Sequence, residues 1–343
     1  MRHILRHLFL FALVLCTGCR PTRQQNPSYP AVRFTNPVYR FTGNTAVYFQ
    51  DGKYYLPFSN GKQLLLCCAA SPDEFDYEKR VVAMDRLKQK GINNIWHPQL
   101  VRLRGTWYIY LSSDDGNTDN HHIWVLSCPD PDPMTGHFSI LGKIVTDPDD
   151  NWATYPYAFE YKGELYLLWS GWERRREFME TQRLYIARLA DPCTLASERV
   201  LISSPDLEWE RQWIQQDGKS YTRYPVFVNE APFFFAPPES DHVWILYSAS
   251  ANWTAHSAIG ALHTDKKNDL LDATAWKKLP APLLRSDADG NAFGPSWPYV
   301  TCSPDGSSWY LLYSVQNKAE IPYYRMPHAQ AIQAGKDYLL LGQ

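Results

Sequence analysis

Glu230 is the side chain in this sequence whose surroundings most clearly favour chemistry. It lies in Val228-Asn-Glu-Ala-Pro-Phe, at the start of a strongly apolar stretch. Burial disfavours the charged form of a carboxylate and raises its pKa, so a buried glutamic acid can hold its proton near neutral pH and act as a general acid. The alternative is a structural carboxylate that pairs with an arginine such as Arg223. The motif by itself leaves both interpretations open.

A short phrase recurs five times along the chain and predicts the elements that must position Glu230. Each copy is a turn followed by Tyr or Trp in an apolar strand: Asp51-Gly-Lys-Tyr-Tyr-Leu, Arg104-Gly-Thr-Trp-Tyr-Ile, Lys162-Gly-Glu-Leu-Tyr-Leu, Asp241-His-Val-Trp-Ile-Leu and Asp305-Gly-Ser-Ser-Trp-Tyr-Leu. The copies lie roughly fifty to eighty residues apart, an interval typical of propeller blades. The sequence therefore predicts an all-β protein, a five-bladed β-propeller over residues 31–343.

The repeat also predicts which residues face the propeller axis. The first strand of each blade lines the central channel, and stepping back about eight residues from the turn glycines reaches Asn44, His97 and Tyr155. The same step lands beside Trp297 in the fifth blade and, after allowance for a longer hairpin, reaches Glu230 in the fourth. We expect these five side chains to converge around one axis.

Composition and charge exclude some partners. The 343 residues carry 34 Lys and Arg against 36 Asp and Glu, a net charge of −2, so nucleic acid is not an expected partner. Beyond the N-terminal region the cysteines are Cys67, Cys68, Cys128, Cys193 and Cys302, without paired metal-site spacing; we expect most of them to be buried thiols inside strands, and a disulfide is the alternative. We predict no cofactor, and no metal ion held directly by the protein at the centre of the channel.

The N-terminus has the pattern of an export signal. Basic Met1-Arg-His-Ile-Leu-Arg-His precedes apolar Leu8-Phe-Leu-Phe-Ala-Leu-Val-Leu, as in secretory signal peptides. Leu15-Cys-Thr-Gly-Cys19 is similar to a bacterial lipobox, which predicts a signal peptide over 1–18, lipid on Cys19 and a polar tether over 19–30. The predicted location is the cell envelope, with Cys19 as the only membrane attachment. An uncleaved anchor or an ordinary signal peptide is the alternative.

Several stretches together resemble glycoside hydrolase family 43. They are Gly91-Ile-Asn-Asn-Ile-Trp-His-Pro-Gln-Leu, Asp114-Asp-Gly-Asn-Thr-Asp-Asn-His, Leu168-Trp-Ser-Gly-Trp-Glu, Ser197-Glu-Arg-Val-Leu-Ile-Ser, Val228-Asn-Glu-Ala-Pro, Tyr247-Ser-Ala-Ser and Ser303-Pro-Asp-Gly. The resemblance covers essentially the whole mature chain and is greatest to exo-acting α-L-arabinofuranosidases. It implies a five-bladed propeller that cuts arabinose- or xylose-containing glycans, so the implied partner is an oligosaccharide or polysaccharide.

The same resemblance identifies where this chain departs from the family. Family members invert the anomeric centre with one carboxylate that activates water and a protonated Glu that donates to the leaving oxygen. The acid matches Glu230, whereas the base Asp matches Asn44 and the Asp that tunes the acid matches Tyr155. The axial His matches Trp297, and a further Glu matches Gln99. An amide cannot take a proton from water, and general-base assistance contributes about 10²- to 10⁴-fold in rate, so the usual mechanism is not expected.

One hypothesis is a glycoside hydrolase with altered machinery. Glu230 would remain the acid, and the second role would pass to another group, with His97 as a base or Tyr155 as a nucleophile. Asp119, on a loop between blades, is a more distant candidate. Asp114 on the same loop is expected to be a solvated turn residue.

The other hypothesis is a glycan-binding protein on an enzyme scaffold. Sugar rings would stack on aromatic faces supplied by Trp297, Tyr155, Trp96 and Trp152. Hydrogen bonds that fix the orientation of the sugar would come from Asn44, Gln99 and Glu230. Trp96 and Trp152 are also expected to contribute to the packing between blades.

Overall fold

The structure is a computed structural model that describes residues 34–85, 89, 91–175, 181–213, 225–319 and 324–342. The predicted signal peptide, the tether with Cys19, and Arg223 lie outside the described residues. The described strands form five sheets, each built from consecutive strands, and one two-stranded ribbon. The prediction of an all-β, five-bladed propeller is confirmed. In this part of the chain no helix has the length and apolar character needed to cross a membrane.

Each blade is an antiparallel sheet whose first strand lies nearest the axis. Blade one contains β1 (Tyr48–Gln50), β2 (Lys53–Ser59), β3 (Gln63–Ala69) and β4 (Val81–Asp85). Blade two contains β5 (Asn93–Leu103), β6 (Thr106–Asp114), β7 (His122–Cys128) and β8 (Ser139–Ile144). Blade three contains β9 (Ala153–Tyr161), β10 (Glu164–Gly171), β11 (Arg183–Asp191), β12 (Thr194–Leu195) and β13 (Val200–Ser203).

The ribbon of β14 (Arg211–Trp213) and β15 (Pro225–Phe227) separates blades three and four. Blade four contains β16 (Asn229–Phe235), β17 (His242–Ala249), β18 (Ala258–Asp265) and β19 (Lys277–Lys278). Blade five contains β20 (Phe293–Cys302), β21 (Trp309–Gln316), β22 (Arg325–Ala334) and β23 (Leu339–Leu341). Single-turn 3-10 helices lie at Pro72–Glu74, Tyr77–Lys79, Thr118–Asn120, Glu208–Glu210 and Ala273–Ala275.

The recurring aromatic phrase forms the first hairpin of each blade. In blade one the turn joins β1 to β2 through Asp51 and Gly52, with φ values of 51° and 78°. Positive φ at both central residues defines the two-residue turn whose twist matches that of the flanking strands. Arg104 and Lys162, each followed by glycine, repeat the same conformation in blades two and three.

The hydrophobic core is divided among the five interfaces between neighbouring blades. In β6, Trp107 and Ile109 pack toward blade one, whereas Tyr110 packs toward blade three. Successive side chains of a strand point to opposite faces, so each blade buries both faces of its sheet. Equivalent clusters fill the interfaces of blades three with four, four with five, and five with one.

The ring closes where the chain before blade one lies along blade five. The side-chain amide of Asn36 donates to the Ala329 carbonyl (3.1 Å) and accepts from the Ala329 amide (2.8 Å). The Val38 amide donates to the Pro327 carbonyl at 2.9 Å. These hydrogen bonds therefore fasten the N-terminal end of the described chain to β22 of blade five.

Candidate active site

A cavity of about 690 Å³ opens over the propeller axis. Its lining includes all five side chains that the repeat spacing predicts: Asn44, His97, Tyr155, Glu230 and Trp297. Trp96 and Trp152 also line it, as does Asp119, whereas Gln99 does not. A smaller cavity of about 40 Å³ lies beneath and shares Asn44, His97, Tyr155 and Trp297 with the first.

A kink in the inner strands brings these side chains to the axis. His97, Tyr155 and Trp297 have left-handed backbone conformations, with φ between 42° and 57°, and each precedes a proline. The pairing register shifts at each of these points, as in a β-bulge, which re-aims a side chain. A serine of the preceding blade fixes two of the kinks: Ser112 accepts from the Tyr155 amide (2.9 Å) and Ser248 from the Trp297 amide (2.7 Å).

Glu230 does not occupy the position predicted for it in the repeat. In blade four the left-handed residue before proline is Ala231, with φ 50°. Glu230 pairs with Ser248 on the strand beside it, as Trp96 pairs with Ser112 in blade two. Glu230 is therefore the counterpart of Trp96, one residue nearer the start of the strand than the ring-bearing positions. The allowance for the longer hairpin of blade four was one residue too large.

Three rings fill the axis and form the floor of the cavity. The His97 ring centre lies 4.4 Å from that of Tyr155 and 4.1 Å from that of Trp297. The Arg325 guanidinium carbon lies 4.6 Å from the centre of the Trp297 ring on the outer side. These contacts leave no room for a sugar ring between the three side chains.

Glu230 is 1% exposed and is held by neighbours from two other elements. The Asn252 side-chain amide donates to Glu230 Oε1 (2.5 Å) and to the Tyr155 hydroxyl (3.2 Å). Asn252 is in turn fixed by Arg325, which donates to its carbonyl (2.5 Å). The carboxyl group thus meets the cavity in a single orientation.

The surroundings of the floor raise the pKa of Glu230 and lower the pKa of His97. Burial raises the pKa of Glu230 to about 7, against opposing effects of the Asn252 hydrogen bond, the Arg325 charge and a Tyr155 hydrogen bond. Burial, and to a lesser extent Arg325, lower the pKa of His97 to about 3. Burial and the nearby Glu230 raise the pKa of Tyr155 well above its usual value. The phenol therefore keeps its proton, and the imidazole is a weak base.

Asn44, which matches the family base, is committed to backbone hydrogen bonds. Its side-chain amide donates to the carbonyls of Pro57 (2.5 Å) and Pro98 (3.3 Å), and its side-chain oxygen accepts from the Thr45 amide (3.0 Å). Two of these bonds require a donor, which a carboxylate cannot supply. Asn44 therefore has a structural role that an aspartate could not fill with the same hydrogen bonds.

Gln99 is directed between the blades and not toward the main cavity. Its side chain donates to the Ala158 carbonyl (3.0 Å) and accepts from the Ala158 amide (2.8 Å), so it pairs with the backbone of blade three like another strand residue. It is 3% exposed. The side-chain nitrogen and oxygen both have backbone partners. Gln99 was predicted to hydrogen-bond to a glycan, but it is not placed to do so in the main cavity.

Two tryptophans form side walls. Trp152 stacks on Trp172 with ring centres 4.7 Å apart and an interplanar angle of 11°. Trp96 stacks on His121 at 3.8 Å and 25°. Asp114, expected to be a solvated turn residue, is instead buried, with Oδ2 3.0 Å from His121 Nδ1. The loop needs this carboxylate because it also accepts from the amides of Asn94 and Gly116.

Asn252 and Arg325 belong to the site but carry no clear sequence signal. Asn252 follows the second strand of blade four, and counting forward from the aromatic phrase to the end of that strand would reach its loop. Arg325 begins β22, and no local pattern separates it from the other arginines of the chain. The fold brings Arg325 against Trp297 of the same blade and against Asn252 of the neighbouring blade four.

The residues on the axis do not fit a directly bound metal ion. Where the resemblance implies an axial His near a metal ion or water, this chain has Trp297, whose indole nitrogen is a donor only. No group of three or more His, Cys, Asp or Glu side chains suited to a metal ion occurs among the residues that the structure covers. The Cys67, Cys68, Cys128, Cys193 and Cys302 thiols are free.

Comparison with known proteins agrees with the geometry. The extracellular exo-α-(1→5)-L-arabinofuranosidase of Streptomyces avermitilis is 27% identical over 337 residues, which cover 94% of this chain and 65% of that protein. A protein of the same name from Streptomyces chartreusis is 28% identical over 232 residues, 66% of this chain and 64% of that protein. The chain thus spans just under two thirds of the length of these relatives.

Solved structures and a family model give the same assignment. The crystal structure of the α-L-arabinofuranosidase from Lactobacillus brevis superposes with a TM-score of 0.74 at 26% identity, over 88% of this chain and 93% of that one. The model of glycosyl hydrolases family 43 matches residues 34–338. A five-bladed propeller with a buried glutamic acid over its axis, matched along nearly its whole described length, belongs to glycosyl hydrolases family 43.

Proposed function

We propose that the protein acts on arabinose- or xylose-type glycans by accepting a chain end in the axial cavity and cleaving its O-glycosyl bond, with Glu230 as the general acid. The observation that carries this proposal is the buried carboxyl group of Glu230, which lines the axial cavity and accepts a hydrogen bond from the Asn252 amide. An acid with a pKa near the working pH combines a large protonated fraction with a strong tendency to donate. The names of the relatives support arabinofuranosyl chain ends as substrate.

The missing general base sets the expected rate. Asn44 cannot activate water, and the low pKa of His97 makes it a poor substitute. Water would then attack without full assistance, and turnover would fall about 10²- to 10⁴-fold below that of a relative with the base. Asp119 is the other carboxylate among the described residues that line the cavity, so it is the first alternative base to test.

A second candidate function is glycan binding without hydrolysis. It is favoured by the hydrogen bonds of Asn44, which matches the position of the family's base. The Asn44 side-chain amide donates to two backbone carbonyls and cannot activate water. The aromatic floor and walls would still offer faces for sugar rings, and Glu230 would serve as a hydrogen-bond donor.

One experiment separates the two functions. The purified protein is incubated with arabinofuranosyl, xylosyl and galactosyl glycans, and products and binding are measured in parallel for the wild type, Glu230→Gln and Asp119→Asn. Hydrolysis that disappears in Glu230→Gln supports the enzyme. Tight binding without products in any protein supports the binding function. The absence of both for all glycans would contradict the proposal.

We also propose that the protein is an exported lipoprotein anchored through Cys19. The export pattern of residues 1–18 and the word extracellular in the names of two relatives support export. Cys19→Ser should move the protein from the membrane fraction to the soluble fraction and abolish incorporation of a labelled fatty acid. Unchanged membrane association of Cys19→Ser would contradict the anchor.

A further inference from the structure

Asn252 directs a hydrogen-bond donor at the carboxyl group of Glu230. It lies in the loop that follows β17 of blade four, and its side-chain nitrogen donates to Glu230 Oε1 (2.5 Å). The same nitrogen donates to the Tyr155 hydroxyl (3.2 Å). An amide nitrogen carries two hydrogens, so one is committed to the carboxyl group and the other to the phenol. The side chain of Asn252 is therefore oriented by two partners at once.

The backbone of Asn252 is fastened independently of its side chain. Its carbonyl accepts from Arg325 Nη1 (2.5 Å) and from Gln316 Nε2 (3.0 Å), both from blade five. Gln316 is fully buried and also donates to the Thr254 carbonyl (3.1 Å). The Thr254 amide donates in turn to the Ala251 carbonyl (2.9 Å), which closes a turn around Asn252. A substitution of the Asn252 side chain therefore leaves these anchoring bonds in place.

The bond at Oε1 determines which oxygen of Glu230 carries the proton. Glu230 lines the axial cavity although it is almost completely buried. In a protonated carboxyl group, the oxygen that bears the hydrogen is the poorer acceptor of a further hydrogen bond. An N–H group at Oε1 therefore favours the proton on Oε2. Because Oε1 is occupied, Oε2 is the oxygen that is left to meet a glycosidic oxygen in the cavity.

The same bond becomes stronger as Glu230 gives up its proton. A hydrogen bond to an ionised acceptor is roughly twice as strong as one between neutral groups. Burial raises the pKa of Glu230, whereas the Asn252 hydrogen bond lowers it, and the Arg325 charge and a Tyr155 hydrogen bond act in the same direction as Asn252. An interaction that strengthens while the proton leaves stabilises the transition state more than the ground state.

We infer that Asn252 is a positioning residue for the proposed cleavage, which holds the proton of Glu230 on Oε2 and stabilises the carboxylate that forms when this proton is donated. The inference rests on the proposed function, because it assumes that Glu230 is the general acid. In this step the Oε2–H bond breaks and its electron pair stays on Glu230, while the proton bonds to the glycosidic oxygen as that oxygen leaves the anomeric carbon. The oxygen of water bonds to the anomeric carbon and loses a proton to solvent, and Glu230 takes up a proton from solvent.

The test compares two leaving groups that differ in their need for an acid. Hydrolysis of methyl and dinitrophenyl α-L-arabinofuranosides is measured for the wild type, Asn252→Leu and Asn252→Ala, because neither variant has a donor for Oε1. We expect kcat for the methyl glycoside to fall about ten- to hundredfold, a part of the 10²- to 10⁴-fold that general acid catalysis contributes. The kcat for the dinitrophenyl glycoside should stay within about twofold, because this phenolate leaves without a proton. Loss of a transition-state interaction lowers kcat and leaves KM nearly unchanged.

The titration of Glu230 gives a second readout that does not require turnover. Loss of the Asn252 bond should raise the pKa of Glu230, so the decline of kcat/KM at high pH should move upward by about one to two pH units. Carbon NMR of labelled glutamate should show the same shift directly. The matched control is Asn268→Leu, because the Asn268 side chain bonds to Thr264 and does not line the axial cavity. It should leave both rates and the titration unchanged.

The outcomes separate the role of Asn252 from the function itself. Equal losses for the two glycosides, or an unshifted titration of Glu230, overturn the role of Asn252 and leave the general acid in place. No hydrolysis by the wild type, or full hydrolysis of the methyl glycoside by Glu230→Gln, overturns the proposed function and the role of Asn252 with it. If Asn252→Leu does not fold, Asn252→Ala decides, because the anchoring bonds of this loop go to the backbone carbonyl.

Discussion

Single residues in the axial cavity combine one buried carboxyl group with polar and aromatic side chains that the scaffold holds in place. Burial raises the pKa of Glu230 to about 7, and Asn252, itself fixed by Arg325, holds the carboxyl group in place. The Asn44 side chain donates to a backbone carbonyl, and the Tyr155 hydroxyl accepts from the Asn252 side-chain amide. The chemistry of the site therefore depends on Glu230 far more than on any neighbour.

The pH dependence of stability should report the buried proton of Glu230. Its pKa is about 7 in the folded protein and about 4.5 in an exposed chain, so unfolding releases a proton between these values. The contribution to stability is complete below pH 4.5 and is lost as the pH rises through 7, by about 3 kcal/mol. Glu230→Gln cannot ionise, so its stability relative to the wild type should increase by this amount from pH 4 to pH 8.

Urea unfolding of both proteins at each pH gives the measurement, and the difference between them cancels the titration of all other groups. Hydrolysis, where it occurs, should decline over the same rise through pH 7, because the acid loses its proton. A constant difference in stability between the two proteins would mean that folding does not raise the pKa of Glu230.

Restoring the family's aspartate at position 44 should not restore a family enzyme. Asn44→Asp removes the donor to the Pro57 and Pro98 carbonyls, and leaving buried carbonyls unpaired costs about 1–3 kcal/mol. We expect that loss in urea unfolding, with turnover unchanged within a few-fold. Asn60→Asp is the matched control, because Asn60 accepts hydrogen bonds from two amides and an aspartate can do the same. A gain of a hundredfold or more in Asn44→Asp would contradict the structural role.

Strands and hairpins show where counting along the sequence succeeds. The aromatic phrase identifies the first hairpin of every blade, and the distance back to His97 and Tyr155 is the same because the turns of blades two and three are alike. In blade five the connection is longer, and Trp297 lies one residue further back. In blade four the loop is longer, and counting alone cannot decide which of two adjacent residues lies at the bulge. Glu230 still reaches the cavity, because a side chain beside a bulge is also re-aimed.

Residues that come from other elements could not be found in this way. In the sequence Gln99 cannot be distinguished from a sugar-binding amide. In the structure its side-chain nitrogen and oxygen both hydrogen-bond to the backbone of Ala158 in the next blade. Arg325 comes from a third strand, where no repeat marks it, and its role depends on contacts with the first strand of its own blade and with a loop of blade four. In the sequence Asp114 has the pattern of an exposed turn residue, whereas in the structure it is buried against His121.

A buried ion pair supports the strand that carries Glu230. Lys278 Nζ lies 2.9 Å from both carboxylate oxygens of Glu210, which is fully buried. Glu210 also accepts from the side chains of Asn229 (3.0 Å) and Tyr247 (2.8 Å). Asn229 directly precedes Glu230, so the ion pair is one residue removed from the acid.

Removing one member of this pair should be costly. Lys278→Met leaves the Glu210 carboxylate buried without its cation, which typically costs about 3–5 kcal/mol. Urea unfolding measures the loss. Lys336→Met is the control, because its pair with Asp241 is largely exposed and should contribute less than about 1 kcal/mol. Equal effects of the two substitutions would show that Glu210 is neutralised in another way.

The whole molecule is a ring, and its closure depends on contacts between residues almost three hundred positions apart. Asn36 pairs with both backbone groups of Ala329, and the hydrophobic cluster between blades five and one lies beside this junction. The other four interfaces join blades that are consecutive in sequence. The hydrogen bonds of Asn36 therefore help to hold together the one interface whose two blades are not consecutive in sequence.

Asn36→Ala should destabilise the protein by about 1–3 kcal/mol, because it leaves two backbone groups of Ala329 without their partner. Asn268→Ala, which removes one bond to Thr264 within a single blade, should cost less than about 1.5 kcal/mol. Equilibrium unfolding compares the two. A smaller effect of Asn36→Ala than of Asn268→Ala would show that water replaces the closing contacts.

The packed rings of His97, Tyr155 and Trp297 determine how a sugar can enter and leave the axial cavity. With ring centres 4.1 and 4.4 Å apart, the channel is blocked for any sugar below the floor. Whatever enters the axial cavity must leave by the mouth through which it came. A released sugar therefore competes with the next chain end for the same opening, and free sugar should act as a competitive inhibitor of both binding and cleavage.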